Sequence, residues 1–180
     1  MTRRWAWVTC IAMAFAACAH ADRAALGPLQ AVPRVDLDRY LGTWYEIARY
    51  PHRFQAGCVA STASYTRTSD GRIRVENQCR DGSLDGAVRR VTGVAQVVKN
   101  EPSNAKLEVE FFWPFRGAYW IIELDPDYQY AVVGHPSRAY LWILARRPKM
   151  DDALYQDLLR RVALHGYDRT PILRTVQPAE

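Results

Sequence analysis

The sequence lacks the residue patterns of most catalytic and metal-binding sites. Its four histidines, His20, His52, His135 and His165, form no i, i+4 pair that a helix could present to a metal. No serine lies in a Gly-x-Ser-x-Gly elbow, and there is no glycine-rich phosphate loop. The acidic residues mostly alternate outward on strands or fall in turns, which gives no support for paired-carboxylate chemistry. These absences predict no metal, no cofactor and no catalytic residue, and they leave an enzyme as the minority hypothesis.

A large excess of charge and a long apolar run are also missing. The formal net charge is +5 at pH 7, and Lys and Arg are scattered along the chain rather than striped with aromatic residues. A nucleic-acid partner is therefore not expected. The aromatic content, by contrast, is high. Six Trp and ten Tyr residues fit a β structure with a large apolar interior.

The chain begins with a leader. Residues 1–17 combine two early arginines, an apolar stretch and small residues at the end, which is typical of a secretory signal peptide. The apolar stretch, residues 5–17, is too short for a membrane-spanning helix, which needs about 20 residues. The sequence therefore predicts an exported chain.

The end of the leader suggests a lipid anchor. Phe15-Ala16-Ala17-Cys18 resembles the bacterial lipobox, in which the cysteine receives the lipid, and Ala19 resembles the signal that sorts such proteins to the outer membrane. The alternative is cleavage after Ala21, which would release a soluble periplasmic protein. We interpret residues 18–34 as the lipidated Cys18 and a tether, because they contain Gly and Pro and lack a secondary-structure period.

From Val35 onward, short β-rich runs alternate with turn clusters, and no long helical period appears before residue 150. This pattern excludes a βαβ architecture. Leu107, Val109 and Phe111 alternate with charged residues, so we expect them to point into the interior. Eight antiparallel strands suit a small closed barrel, which removes the exposed edges of an open sheet. The predicted strands cover residues 43–50, 59–67, 72–79, 87–98, 105–112, 117–124, 129–134 and 139–146.

A helix is predicted over residues 151–165, because apolar residues recur there at four-residue steps. Asp151 or Asp152 would cap its start and Gly166 its end. Several strands are apolar on both faces, so the helix is expected to cover the outside of the barrel. The tail at residues 172–176 is expected to add a ninth strand.

Two cysteines remain once Cys10 in the leader and Cys18 are set aside. Cys58 and Cys79 lie at the two ends of a predicted hairpin, and export delivers them to an oxidising compartment, which favours a disulfide. Pairing through a two-residue turn would place Cys79 opposite Thr62, so the bridge needs a longer loop or a bulge. Two free thiols are the alternative, and two cysteines are too few for a structural zinc site.

Three ordered segments resemble the signature of the lipocalin family. Gly42-Thr43-Trp44 opens the first strand, Asp125-Pro126-Asp127-Tyr128 forms an acidic turn, and Tyr140–Arg146 spans the eighth strand. The string around Gly42 is similar to that of the bacterial outer-membrane lipocalins and apolipoprotein D. The resemblance implies an all-β fold over residues 35–177, an eight-stranded antiparallel up-and-down lipocalin barrel with one C-terminal α-helix packed outside.

The resemblance also implies what the residues do. Trp44 would plug the closed end of the barrel and Arg146 would lie across it, with Gly42 and Tyr128 completing the structural signature. The interior would bind a fatty acid or lysophospholipid reversibly, for lipid storage or transport in envelope maintenance at the outer membrane, facing the periplasm. The candidate ligand contacts are Tyr65, Leu107, Val109, Phe111, Tyr119, Tyr130 and Trp142.

Two other functions stay open from the sequence. One is a carrier for a chromophore or isoprenoid, since related barrels bind retinoids and bilins, and the other is an enzyme built on the same barrel. A homodimer and attachment to a membrane through the lipid anchor are the remaining expectations about partners.

Overall fold

A computed structural model describes residues 27–179 of the chain. The leader and Cys18 lie outside this part, so the signal peptide and the lipid anchor stay predictions. The described chain forms nine β-strands, two α-helices and one 3₁₀ turn. In chain order these are α1 Leu37–Tyr40, β1 Gly42–Arg49, the 3₁₀ turn Arg53–Gln55, β2 Cys58–Arg67, β3 Ile73–Asp81, β4 Val88–Val97, β5 Lys106–Phe112, β6 Phe115–Leu124, β7 Tyr130–Gly134, β8 Leu141–Ala145, α2 Asp152–Leu164 and β9 Leu173–Arg174.

The sheet closes on itself. Strands β2 to β8 are paired in chain order, and β1 lies between β8 and β2. Its first half, Gly42–Tyr45, pairs with β2, while Tyr45–Arg49 pairs with β8, and every pair around the ring is antiparallel. The predicted eight-stranded barrel is therefore confirmed. The tail forms the expected ninth strand, β9, but this strand is shorter than expected, because only Leu173 and Arg174 pair with the end of β1.

Alternation of side chains along the strands produces two apolar cores. On β7, Ala131 and Val133 belong to the inner core of the barrel, while Tyr130 and Val132 belong to an outer core beneath α2. Strand β7 is buried at every position for this reason. The expectation is therefore met that a strand with apolar residues on both faces is covered on the outside of the barrel.

Helix α2 supplies that cover, as predicted. The carboxylate of Asp151 accepts a hydrogen bond from Leu154 N at 3.0 Å and caps the first turn. At the other end, Gly166 has a φ of +82° and Tyr167 N donates to Val162 O at 3.1 Å, which is a Schellman ending. Neither helix in the described range is long and apolar enough to cross a membrane.

The loops define two different ends of the barrel. We call the end formed by loops 50–57, 82–87, 113–114 and 135–140 the open end. The opposite end, formed by α1 and loops 68–72, 98–105 and 125–129, is the closed end. Helix α1, which lies at the closed end, is not predicted from the sequence, because four residues are too few for a helical period.

The segment before β1 packs along the barrel from one end to the other. Gly27 O accepts a hydrogen bond from Arg138 Nη2 at 3.0 Å in an open-end loop. Val32 N donates to Ile121 O at 2.9 Å halfway along, and Val35 N donates to the side chain of Asn104 at 2.8 Å in a closed-end loop. Residues 27–34, which we interpret from the sequence as part of a tether, therefore pack on the barrel.

Candidate functional site

The barrel contains a cavity of about 650 Å³ that opens between the open-end loops. This size lies within the range of small-molecule sites, about 300–1,000 Å³. Its walls are mostly apolar and aromatic, from Ala63 and Val75 on one side to Leu144 on the other. Such a lining is suited to removing an apolar ligand from water.

Five of the seven candidate ligand contacts line this cavity. They are Tyr65, Val109, Phe111, Tyr119 and Trp142. Leu107 belongs to the inner core but does not reach the cavity surface. Tyr130 faces outward into the outer core, where Arg161 Nη1 donates to its hydroxyl at 3.3 Å. The expectation for Tyr130 is corrected, because the alternation of β7 turns its side chain away from the interior.

Phe111 lies over a glycine of the neighbouring strand. Gly93 is on the inward face of β4, and a Cβ added to it would lie 2.6 Å from the backbone oxygen of Glu110 and 2.7 Å from Phe111 Cδ1. A side chain at this position would therefore displace both the ring and the backbone of β5. The glycine therefore leaves the space on β4 that the ring of Phe111 occupies in the cavity wall.

Three tyrosine hydroxyls meet at the floor of the cavity. The hydroxyl of Tyr119 is 2.8 Å from that of Tyr40 and 2.8 Å from that of Tyr65. Burial raises the pKa of Tyr65 to about 12, and it raises the pKa values of the other two well above their ordinary range. The three groups are therefore neutral at physiological pH, and they form a small polar patch in an otherwise apolar floor.

Trp44 lies beneath this floor and is fully buried. Its Nε1 donates to Tyr40 O at 2.8 Å, so the one polar atom of the indole is satisfied. The guanidinium of Arg146 lies over the ring, with Cζ 3.8 Å from the ring centroid. Trp44 and Arg146 are therefore in contact at the closed end, as the family resemblance implies.

Arg146 also ties three closed-end segments together. Its Nη2 donates to Arg39 O at 2.7 Å, its Nη1 to Thr43 O at 3.1 Å and its Nε to Tyr128 O at 3.3 Å. Gly42 has a φ of +93°, and a Cβ there would lie 3.3 Å from Arg146 Nη1. The guanidinium therefore closes the barrel through backbone hydrogen bonds as well as through its contact with the indole.

Gln55 joins the mouth of the cavity to a buried carboxylate. Its Oε1 accepts from Trp142 Nε1 at 2.9 Å and from His52 Nε2 at 2.7 Å. Its Nε2 donates to Glu46 at 2.6 Å, and Glu46 in turn accepts from Arg49 Nη1 at 2.9 Å. This network holds the loop between β1 and β2 across the edge of the cavity.

His52 is neutral in this arrangement. Its Nε2 carries the proton, because the Gln55 oxygen has no hydrogen to donate. Its Nδ1 is buried and has no hydrogen-bond partner among the described residues. Burial lowers the pKa of His52, outweighing the opposing effects of Gln55 and Glu46. The mouth is therefore lined by an uncharged imidazole.

Cys58 and Cys79 form a disulfide beside the cavity, with Cα atoms 5.5 Å apart. A bulge between Val59 and Thr62 shifts the register of β2 against β3, and Ala60 at its centre has a φ of +49°. The predicted need for a bulge or a longer loop is thus met by a bulge. The linked hairpin forms one wall of the barrel at the open end.

Sequence reasoning did not predict Tyr40, His52, Gln55 or the inward position of Glu46. Tyr40 and Glu46 flank the tryptophan of the family signature, and that position is the one signal available for them. His52 and Gln55 lie in a loop without a period, so no pattern identifies their role. No group of three or more His, Cys, Asp or Glu side chains suited to a metal occurs within residues 27–179.

Comparisons with known proteins agree with this geometry. A family model described as a lipocalin-like domain matches residues 35–177. The chain is 40% identical over 147 residues to the outer membrane lipoprotein Blc of Citrobacter freundii, covering 82% of each chain. It is 38% identical over 120 residues to apolipoprotein D of Macaca fascicularis, covering 62% of this chain and 60% of that protein.

A solved structure supports the fold alone. Insecticyanin from the tobacco hornworm Manduca sexta superposes with a TM-score of 0.66 at 18% sequence identity, over 83% of this chain and 85% of that chain. The similarity extends over the barrel rather than over one motif.

Proposed function

The chain belongs to the lipocalin family, a family of ligand-binding carriers, and on that premise we propose that it binds a fatty acid or a lysophospholipid. The acyl chain would lie in the cavity, and the protein would store or transport lipid for envelope maintenance at the outer membrane. The observation that carries this proposal is an apolar cavity of about 650 Å³, open at one end and plugged at the other.

Burial of the acyl chain supplies the affinity. Each methylene removed from water contributes at most about 0.8 kcal/mol before ordering costs are subtracted. The polar head would remain at the mouth, where Arg89 lines the cavity and its guanidinium donates to Ala56 O at 3.0 Å. A lysophospholipid phosphate would meet this guanidinium group, whereas a neutral head group would stay in water.

Affinity for fatty acids should therefore depend on chain length. A titration with chains of eight to twenty carbons should show up to roughly fourfold tighter binding for each added methylene, until the chain reaches the tyrosine floor. Phe111→Lys should weaken binding strongly, because it places a charge on the cavity wall. Glu108→Lys introduces the same group on the outer face of the same strand and should leave affinity unchanged.

Affinity that does not depend on chain length, or no saturable binding, would contradict the proposal. Ligand extracted from protein made in its own envelope would then distinguish the alternatives. A visible absorption spectrum would identify a chromophore carrier, and turnover lost on changing one polar cavity residue would identify an enzyme.

The lipid anchor is a separate part of the proposal. It is supported by Cys18 at the end of the leader and by the 40% identity to a protein named as an outer membrane lipoprotein. Two or more acyl chains hold a protein on a bilayer, where one does so only marginally. Cys18→Ser should therefore move the protein out of the outer-membrane fraction. Wild-type protein that is already soluble in the periplasm would contradict the anchor.

A further inference from the structure

Large exposed apolar side chains are concentrated at the open end of the barrel. The tip of the β5–β6 hairpin carries Phe112, Trp113 and Phe115, which are 66%, 84% and 77% exposed. Phe54, on the loop between β1 and β2, is 59% exposed, and it borders the same mouth. Exposed aromatic side chains that cluster in this way mark a surface that meets another apolar phase. We call these four residues the aromatic rim.

Basic side chains surround the aromatic rim. The guanidinium of Arg53 lies 4.9 Å from the ring centroid of Phe54, and Arg53 has no carboxylate partner among the salt bridges of residues 27–179. Arg89 donates to Ala56 O at 3.0 Å and so holds the same loop at the rim. The open-end loops and the two strand residues on either side of each loop carry six arginines and two carboxylates: Arg49, Arg53, Arg80, Arg89, Arg116 and Arg138 against Asp81 and Asp85. Arg49 and Arg116 form ion pairs with glutamates further along the strands, whereas Arg53, Arg80 and Arg138 form no ion pair with a carboxylate of residues 27–179. This end therefore presents net positive charge.

The closed end has a different surface. Its loops and α1 mix basic residues with the carboxylates Asp36, Asp38, Asp70, Glu101, Asp125 and Asp127. None of the exposed large apolar side chains of the described residues lies in those loops. Charge and apolar exposure thus favour the same end of the barrel for contact with an anionic, apolar phase.

The path of the N-terminal segment favours that end as well. The described chain begins at Gly27, which Arg138 holds beside an open-end loop. Eight residues lie between Cys18 and Gly27, and the extended chain that joins the two spans at most about 30 Å. A membrane anchor at Cys18 would therefore be joined to the barrel at the open end and would hold that end within about 30 Å of the bilayer.

We propose that the open end docks on the surface of an anionic phospholipid bilayer. Trp113 and its aromatic neighbours would enter the headgroup region, and Arg53 would meet lipid phosphates. The mouth of the cavity would then face the lipid that the protein loads or releases. This orientation toward a lipid ligand rests on the proposed function, whereas the docking itself does not. Aromatic side chains with an adjacent basic group are suited to the membrane interface.

Quenching of Trp113 fluorescence tests the docking. The processed full chain is mixed with, or reconstituted into, vesicles of brominated phosphatidylglycerol and phosphatidylethanolamine. Subtracting the emission of Trp113→Phe isolates the signal of Trp113, which is exposed and should tolerate the change. Trp120→Phe gives the matched control, since Trp120 packs against the outer core on the side of the barrel. We expect emission from Trp113 to shift to the blue and to be quenched, and emission from Trp120 to be unaffected.

The charge contribution has its own matched pair. Arg53→Gln should lower the ratio of docked to undocked protein about fivefold. This factor corresponds to the attraction of about 1 kcal/mol that each basic residue has for an anionic surface. Lys99→Gln removes an exposed charge from a closed-end loop and should change nothing. Vesicles of phosphatidylcholine alone should show weaker docking of the wild type.

Three results would overturn the docking proposal. One is emission from Trp113 that stays at the wavelength of a water-exposed indole, and another is equal quenching of Trp113 and Trp120. The third is a blue shift that appears without vesicles and grows with protein concentration, which would assign the aromatic rim to a contact between two copies of the chain. Docked Trp113 without saturable acyl-chain binding would refute the proposed function alone, and the reverse result would refute docking alone.

Discussion

The closed and open ends of this barrel differ in how their polar and apolar groups are satisfied. At the closed end, Trp44 is fully buried, its indole nitrogen is hydrogen-bonded, and Arg146 covers it while donating to three backbone carbonyls. At the open end, aromatic rings remain in water and His52 has a buried nitrogen without a partner among the described residues. We therefore expect the closed end to contribute more to the stability of the fold, and the open end to be the end through which a ligand enters.

The largest effect should come from removing the plug. Trp44→Ala deletes a fully buried indole and should lower the free energy of unfolding by about 3–5 kcal/mol. Trp142→Ala provides the comparison at the open end, where the ring is half-buried and already borders a cavity. Urea unfolding of both variants measures the difference. Equal losses would show that the two ends do not differ in this way.

The loss of the disulfide should rank second, because the disulfide restrains the wall that borders the cavity at the open end. Replacing Cys58 and Cys79 with Ala removes a cross-link with a sequence separation of 21 residues, for which the entropy model gives roughly 3 kcal/mol. Peptide mapping without reduction should first find both cysteines in one linked fragment. Complete thiol labelling of the native exported protein would contradict the bridge.

Arg146→Ala should cost about 2–3 kcal/mol, since it removes charged hydrogen bonds and a cation–π contact of about 0.5–2 kcal/mol. Arg146→Lys keeps the charge but cannot reach three carbonyls at once, so it should recover only part of the loss. Because Arg146 contacts Trp44, the losses of the two alanine variants should not add in the double variant. Additive losses would count against that contact.

The smallest effect should be a dependence of open-end stability on pH. Burial lowers the pKa values of His52 and His135, both in open-end loops, so the native state holds them neutral. Between these lowered values and about 6.5, the unfolded chain binds more protons, and stability therefore falls as pH drops below about 6.5. Hydrogen exchange in loops 50–57 and 135–140 should accelerate at pH 5.

The matched variant is His52→Gln, which cannot titrate and should reduce the acceleration in loop 50–57. Exchange in the closed-end loops should change less over the same range. Acceleration that is equal at both ends, or that persists in the variant, would remove His52 as its cause.

The barrel strands and helix α2 could be predicted because their signals are local. Alternation in β5 and the four-residue steps of α2 predict which faces are apolar, and the structure agrees at Val109 and Leu158. The exception was Tyr130, where both faces of the strand are apolar. A strand of this kind does not show which face points inward, since either assignment buries apolar groups.

The sequence by itself determined the barrel, its covering helix and the residues that meet at the closed end. The reason is that the spacing of apolar residues, the turn residues and the family signature can each be read from residues that are close together along the chain. Only the tertiary structure decided the tyrosine floor, the network from Glu46 through Gln55 to Trp142, and the position of Gly27 at the open end. Each of these joins residues that are distant along the chain or lie in loops without a period. Barrel closure brings such residues together, and closure depends on the register and bulges of all eight strands at once.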